Sequence, residues 1–225
     1  MIVKDYICDV GLKRSLNEDT YLINKEHSYV LISDGMGGHE RGDVASDIVV
    51  NTYNNIIEKS LKSDNELFNI EDVLNNSNKE ATYKITKFAR DNKIKNTMGA
   101  TIAGVYFDEN NNIANCFHLG DSRIYRISNN IIEQITQDHC VISENKNILS
   151  KAIGNFSSFK IELQSIKYIN NDIFIICTDG IYNYIKDEEL LNIILNNKSN
   201  YSKLIKEKVY ENSAKDNLTI VIVEV

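Results

Sequence analysis

The sequence predicts an α+β protein built on antiparallel sheets. Three observations lead there. The element types run strands, two long helices, many short strands, two helices and a closing strand, whereas a doubly wound parallel fold would alternate strand and helix throughout. The middle of the chain is a series of short β-rich runs parted by turn sequences such as DENNN and SNN. No Pro- or Gly-rich linker divides the 225 residues, a length that suits one domain with a substantial core. Residues 1–225 are therefore expected to form a single domain.

The elements follow in order. DYICDVG, TYLINKE and SYVLISD read as three opening strands. Apolar Ala45, Ile48, Val49, Tyr53, Ile56, Ile57 and Leu61 recur at helical spacing and predict a helix over 45–61, with Asp43 placed to cap it. Val73, Leu74, Ala81, Ile85, Phe88 and Ala89 predict a second helix over 70–89. From Thr97 the period changes, and TMGATIAGVYF, NIANCFHLGD, SRIYRIS and NIIEQIT read as an antiparallel meander. A short helix is expected in SENKNILSKAIG, two strands in SFKIELQSIKYI and DIFIICTD, helices over 188–195 and 201–210, and a last strand in NLTIVIVEV.

Composition excludes several classes. A net charge of −7 argues against a nucleic-acid binder, which would carry a basic face. No stretch approaches the roughly 20 apolar residues of a membrane span, and MIVKDYICDV places charges where a signal peptide has its apolar core. The expected compartment is the cytoplasm, with no membrane association. Cys8, Cys116, Cys140 and Cys177 are scattered without a C-x-x-C pair, as free thiols of a reducing compartment would be. No coiled coil or large apolar stripe suggests an oligomer, so a monomer is expected.

Four aspartates mark where the chemistry lies. Asp34 follows YVLIS, Asp121 follows NCFHLG, Asp179 follows IFIICT, and Asp216 precedes LTIVIVEV. A carboxylate at the end of a buried strand is costly unless something positive meets it. Four such ends suggest convergence on a cation site of hard oxygen ligands, the type that suits Mg2+ or Mn2+. Around them lie further candidates. In Arg14-x-x-Asn17-Glu18-Asp19, the arginine can grip a phosphate with two parallel hydrogen bonds, and Glu18 and Asp19 can hold metal-bound waters. In Asp34-Gly35-Met36-Gly37-Gly38-His39, an Asp-Gly pair offers a carboxylate and a neighbouring carbonyl to one ion, and His39 is a candidate for proton transfer. No Walker loop and no G-x-S-x-G elbow is present. A zinc site from Cys116, His118, His139 and Cys140 fits the usual ligand spacings poorly.

Taken in order, RSLNED, ISDGMGGHERGDVAS, TMGATIAG, HLGDSRIYRI, ITQDH, NILSKAIG, ICTDGIYNYI and AKDNLTIVIV resemble the bacterial PP2C-type (PPM) serine/threonine protein phosphatases, from about Asp5 to Val225. The resemblance implies an α-β-β-α sandwich, two antiparallel β-sheets flanked by helices. It implies two Mn2+ or Mg2+ ions at one edge of the sandwich and an attacking water between them. Asp34 would bridge the ions, Gly35 would lend its carbonyl to the first, and Asp179 and Asp216 would ligate the second. Glu18 and Asp19 would act through water, and Arg14 would hold the substrate phosphate. The implied partners are phosphorylated proteins, substrates of a Ser/Thr kinase. The alternative from another class is a catalytically weak or inactive regulatory phosphoprotein-binding protein on the same fold, against which the intact Asp34, Asp179 and Asp216 argue.

Three departures from the family pattern carry expectations. Many bacterial relatives complete a third-metal site with an Asp where this chain has Asn183, so a third ion beside Asp121 is expected to be weak or absent. The flap is short, with only CVISENK between His139 and NILSKAIG, which is expected to leave the site open and less selective. Asp43 and Ala100 stand where relatives often have Glu and Thr.

Overall fold

The computed structural model describes residues 1–36, 41–63, 68–94, 98–143, 146–154 and 159–225. The chain opens with β1 (Ile2–Asp9), β2 (Asp19–Asn24) and β3 (Tyr29–Met36), followed by α1 (Gly42–Leu61) and α2 (Ile70–Asp91). Next come β4 (Gly99–Ala100), β5 (Ile102–Asp108), β6 (Ile113–Leu119), β7 (Arg123–Ser128) and β8 (Ile131–Gln134). A hairpin of β9 (Cys140–Ser143) and β10 (Lys146–Leu149) precedes β11 (Ile153–Gly154), β12 (Glu162–Lys167) and β13 (Ile173–Cys177). Helices α3 (Asp179–Tyr182), α4 (Asp187–Asn196) and α5 (Tyr201–Glu211) lead to the final β14 (Leu218–Glu224).

The strands form two antiparallel sheets, ordered β1-β14-β13-β7-β8 and β11-β4-β3-β5-β6-β12, with β2 paired to β3. The period-2 alternation of side chains explains why their central strands read as unbroken apolar runs: both faces are covered. On β13, Phe174 and Ile176 point between the sheets, while Ile175 and Cys177 pack with α3, α4 and α5. On β14, Val221 and Val223 face inward and Ile220 and Ile222 face those helices. On β3, Val30 and Ile32 join the inter-sheet layer while Tyr29 and Leu31 pack against α1 and α2. The result is the expected four-layer order, helices, sheet, sheet, helices. No helix among the described residues is long and apolar enough to cross a membrane.

Three local expectations are corrected. The middle strands are not one meander: β5 and β6 pair in one sheet and β7 and β8 in the other, so the chain changes sheets across residues 120–122. Local alternation is the same for a hairpin and for a sheet switch, so the pattern alone does not separate them. The helix expected in SENKNILSKAIG is replaced by strands, β10 on β9 and β11 on β4. A helix of so few residues pays for nucleation with little propagation, whereas an existing strand offers a ready ladder. Asp43 does not cap α1. Arg41 holds the N-cap position with a left-handed φ of 74°, without a side-chain cap, and Asp43 lies in the first turn, where a negative charge meets the helix dipole favourably.

Candidate active site

Close backbone approaches bring the acidic strand ends together. The β2–β3 register sets Asp19 opposite Asp34. Asp34 is pinned by Thr101, whose Oγ1 accepts the Asp34 N–H at 2.9 Å and whose N–H donates to the Asp34 carbonyl at 2.9 Å. The Gly35 N–H donates to the Glu18 carbonyl at 3.0 Å. A Cβ on Gly35 would press into the Gly42 carbonyl and come within 2.7 Å of the Glu18 carbonyl, so only glycine lets β3, the start of α1 and the Glu18 segment meet. The same holds on the other side, where a Cβ on Gly180 would run into the Asn217 carbonyl and come within 3.1 Å of Leu218 Cα. That contact seats α3 on the start of β14 and sets Asp179 beside Asp216.

Asn217 ties the two sides. Its Oδ1 accepts the Glu18 N–H at 2.9 Å, and its Nδ2 donates to the carbonyls of Val10 and Leu16, each at 3.0 Å. Nothing in AKDN marks Asn217 as a residue whose partners lie some 200 positions away.

These contacts open a cleft of about 270 Å³ lined by Arg14, Glu18, Asp34, Asp121, Asp179 and Asp216. Gly35, Met36, Thr101, Leu149 and Asn217 complete it. Four of the five carboxylates in this partly enclosed space are pushed toward their neutral form. Burial, then the charges of Asp19, Asp179, Asp121 and Asp216, push the Asp34 carboxyl well above its usual range. Burial and the charges of Asp216, Asp121 and Asp19 raise Asp179 to about 7. Burial also raises Asp121, and it raises Glu18 despite the opposing Arg14. Arg14 NH2 donates to Asp216 Oδ2 at 2.9 Å, and Arg14 NH1 lies 3.9 Å from Glu18 Oε2. One arginine does not balance this set.

The donor set fits hard divalent cations. Carboxylates and the Gly35 carbonyl are oxygen ligands of the kind Mg2+ and Mn2+ take, and such ions reverse the local repulsion. Asp19 adds a second sign. It lies buried beneath the cleft, where its Oδ2 accepts hydroxyl hydrogens from Thr178 at 2.9 Å and Thr219 at 2.7 Å, while its buried Oδ1 has no partner among the described residues. Burial raises its carboxyl to about 7. An orphaned buried oxygen of this kind suits an ion or its hydration shell.

Of the sequence-derived candidates, the structure brings Arg14, Glu18, Asp34, Gly35, Asp121, Asp179 and Asp216 to one cleft, with Asp19 below it. His39 lies outside the described residues. Asn183 stands at the C-terminal end of α3, and its Nδ2 donates to Asp179 Oδ2 at 3.1 Å, so it offers that carboxylate a proton donor. The short flap is the β9–β10 hairpin, of which Leu149 reaches the cleft.

Two supports went unread in the sequence. Tyr182 donates its hydroxyl to the Asp121 carbonyl at 3.0 Å, and the Arg123 guanidinium lies 3.6 Å over its ring while holding Asp138 through NH2 at 2.7 Å. This chain joins the Asp121 turn to the helix that carries Asp179. The four residues weighed for zinc do not gather. Cys140 Sγ lies 3.5 Å from Asp121 Oδ2. His118 and His139 stack with centroids 4.6 Å apart at 15°, and together with Glu162 their ligand atoms lie within 4.8 Å of one another. The Gly120 N–H donates to His139 Nδ1, which leaves the ring proton on Nε2 facing Glu162 at 2.7 Å, and Lys151 pairs with the same carboxylate at 2.8 Å. Parallel rings hold their in-plane lone pairs side by side instead of aiming them at one point, and the carboxylate already has its cation.

Comparisons with known proteins agree with this architecture. The family model for Protein phosphatase 2C matches residues 13–215. The serine/threonine phosphatase stp of Listeria welshimeri is 28% identical over 245 aligned positions, covering 98% of this chain and 94% of that protein. Among solved structures, PppA, a key regulatory component of T6SS in Pseudomonas aeruginosa, superposes with a TM-score of 0.86 at 25% identity, covering 98% of this chain and 96% of its own. The catalytic domain of the serine/threonine protein phosphatase PstP, in complex with two manganese ions, superposes with a TM-score of 0.83 at 23% identity, covering 99% and 98%.

Proposed function

The chain belongs to the protein phosphatase 2C family, and from that premise we propose that it is a metal-dependent protein serine/threonine phosphatase, hydrolysing phosphoserine and phosphothreonine with two Mn2+ or Mg2+ ions. One observation carries this: Glu18, Asp34, Asp121, Asp179 and Asp216 share a single cleft with Arg14. Asp34, the Gly35 carbonyl, Asp179 and Asp216 would hold the ions, and Glu18 and Asp19 would orient water bound to them. When bound, the ion pair supplies an acidified water and neutralises the phosphoryl oxygens for in-line displacement.

The chain's own groups do the rest. Arg14 spends one edge of its guanidinium on Asp216 and keeps N–H groups of the same fork for a phosphate oxygen. Thr101 fixes the backbone of Asp34, and Asn217 fixes that of Glu18, so the ligands are held before substrate arrives. His39, beyond the described residues, is the proposed source of the leaving-group proton. The substrates are phosphoproteins made by a Ser/Thr kinase, and the protein acts as a cytoplasmic monomer.

The test is hydrolysis of an aryl phosphate and a phosphothreonine peptide with Mn2+, with EDTA, and with Asp34→Asn. Turnover that needs Mn2+ and falls by orders of magnitude in the variant is expected. Full activity in EDTA would end the metal reading, and Mn2+ binding without turnover would favour a regulatory phosphoprotein binder.

A further inference from the structure

Beside the metal cleft lies a second one, of about 380 Å³, which shares Arg14 and Glu18 with it and is otherwise lined by Lys13, Ser15, Leu16, Arg41 and Asp43. We propose that this cleft receives the stretch of substrate polypeptide next to the phosphoresidue and selects an acidic side chain there. The inference rests on the phosphatase reading and deepens it by naming the substrate class.

The shared wall decides the position. A phosphoresidue held by Arg14 places its chain neighbours within about 3.3–3.6 Å per residue of that arginine, and the second cleft begins at the same side chain. Its volume falls in the range of small specificity pockets, about 300–1,000 Å³.

Charge decides the preference. The molecule carries −7 overall, yet the cations here are not used up. Glu18 faces Arg14, and Asp43 is held by Arg41 Nε at 3.1 Å and NH2 at 3.3 Å. Among the described residues Arg41 NH1 has no hydrogen-bond partner and Lys13 no ion pair, and both side chains are exposed, Arg41 at 54%. Among the described residues the cleft is lined by three cations, Lys13, Arg14 and Arg41, and two acids, Glu18 and Asp43, which leaves one positive charge in excess.

The backbone of Arg41 is a second, independent sign. It sits in the left-handed region at φ 74°, at the N-cap of α1, with no capping hydrogen bond. A glycine or asparagine meets that geometry at less expense. Arg41 lines the cleft, forked onto Asp43 with its guanidinium 5.9 Å from the Phe88 ring centroid, and strain of this sort collects at working sites. Leu16, 51% exposed, gives the rim an apolar contact for the peptide.

The experiment uses the full chain with Mn2+ and three phosphothreonine peptides that differ only in the flanking residues, acidic, neutral or basic, alongside p-nitrophenyl phosphate. The acidic peptide is expected to show the lowest KM, with the preference shrinking at high salt. Lys13→Ala combined with Arg41→Gly is expected to raise KM for the acidic peptide about tenfold and leave kcat and p-nitrophenyl phosphate hydrolysis unchanged. Arg41→Gly relieves the left-handed strain, so a misfolded variant is not the expected obstacle. Equal KM for the three peptides, or a variant that matches wild type, overturns the proposal; so does a variant that slows the small ester as much as the peptide. Binding of the same peptides by fluorescence anisotropy ranks them without turnover. An inert protein that still prefers the acidic peptide would sink the phosphatase reading alone, and one that binds all three alike would sink this inference.

Discussion

Asp179→Asn separates the electrostatics of the site from its packing. Without metal at pH 8, Asp179 must ionise while buried and facing Asp216, Asp121 and Asp19. Its carboxyl rises from 3.8 to about 7. At about 1.36 kcal/mol per unit, keeping it ionised costs on the order of 4 kcal/mol. Asparagine removes the charge and keeps the shape, but its amide still needs partners in the cleft, which returns part of the gain. A net stabilisation of about 1–3 kcal/mol is expected, or about 2–12 °C in a chain of this size. Because the folded value lies above the unfolded one, the group's favourable contribution is complete near pH 4 and is lost as the pH rises through about 7. The variant should therefore melt at or below wild type near pH 4, where only the amide cost remains, and above it at pH 8. Added Mn2+ should reverse the order, since only wild type keeps the ligand. Thermal melts in EDTA and in Mn2+ at both pH values measure this. A variant that melts below wild type in EDTA at pH 8, or a difference independent of pH, refutes the reasoning.

Other outcomes follow from the same geometry. Arg14→Ala should lower kcat/KM for an aryl phosphate by about 1.5–3 kcal/mol, roughly 10- to 150-fold, mainly through KM in steady-state assays. Gly180→Ala should force α3 off the start of β14, lowering the melting temperature by several degrees, as overpacking by about 1–3 kcal/mol does, and weakening Mn2+ binding in calorimetry. Asn183→Asp replaces a donor to Asp179 with another carboxylate; calorimetry should then count three Mn2+ ions where wild type takes two, and an unchanged count would remove Asn183 from the account.

Much of the framework was legible in the chain. The runs YVLIS, IFIIC and LTIVIV are continuous because both sheet faces are covered, and the helical spacing of the apolar residues in α1 and α2 marks the buried stripe of each. The acidic residues were legible for a related reason: one carboxylate at the end of such a run can be a cap or a turn, but four of them suggest a shared cation site. The misread segments share a cause. The order β5-β6-β7-β8 has hairpin-like local signals at each turn, yet residues 120–122 carry the chain to the other sheet. The run NILSKAIG is too short for periodicity to tell strand from helix, and the partner strand decided.

Composition and pattern by themselves determined the α+β class with antiparallel sheets and which carboxylates were out of place, and the family resemblance implied the layers. Only the tertiary structure decided which of them meet, that Glu18 lines the cleft while Asp19 lies beneath it, and that Asn217 and Tyr182 hold the parts in register. The physical reason is range: burial and periodicity act between neighbours a few residues apart, whereas the site depends on backbone contacts such as Gly180 on Asn217 and on hydrogen bonds such as Glu18 to Asn217, whose partners are distant in sequence and visible only once the chain has folded.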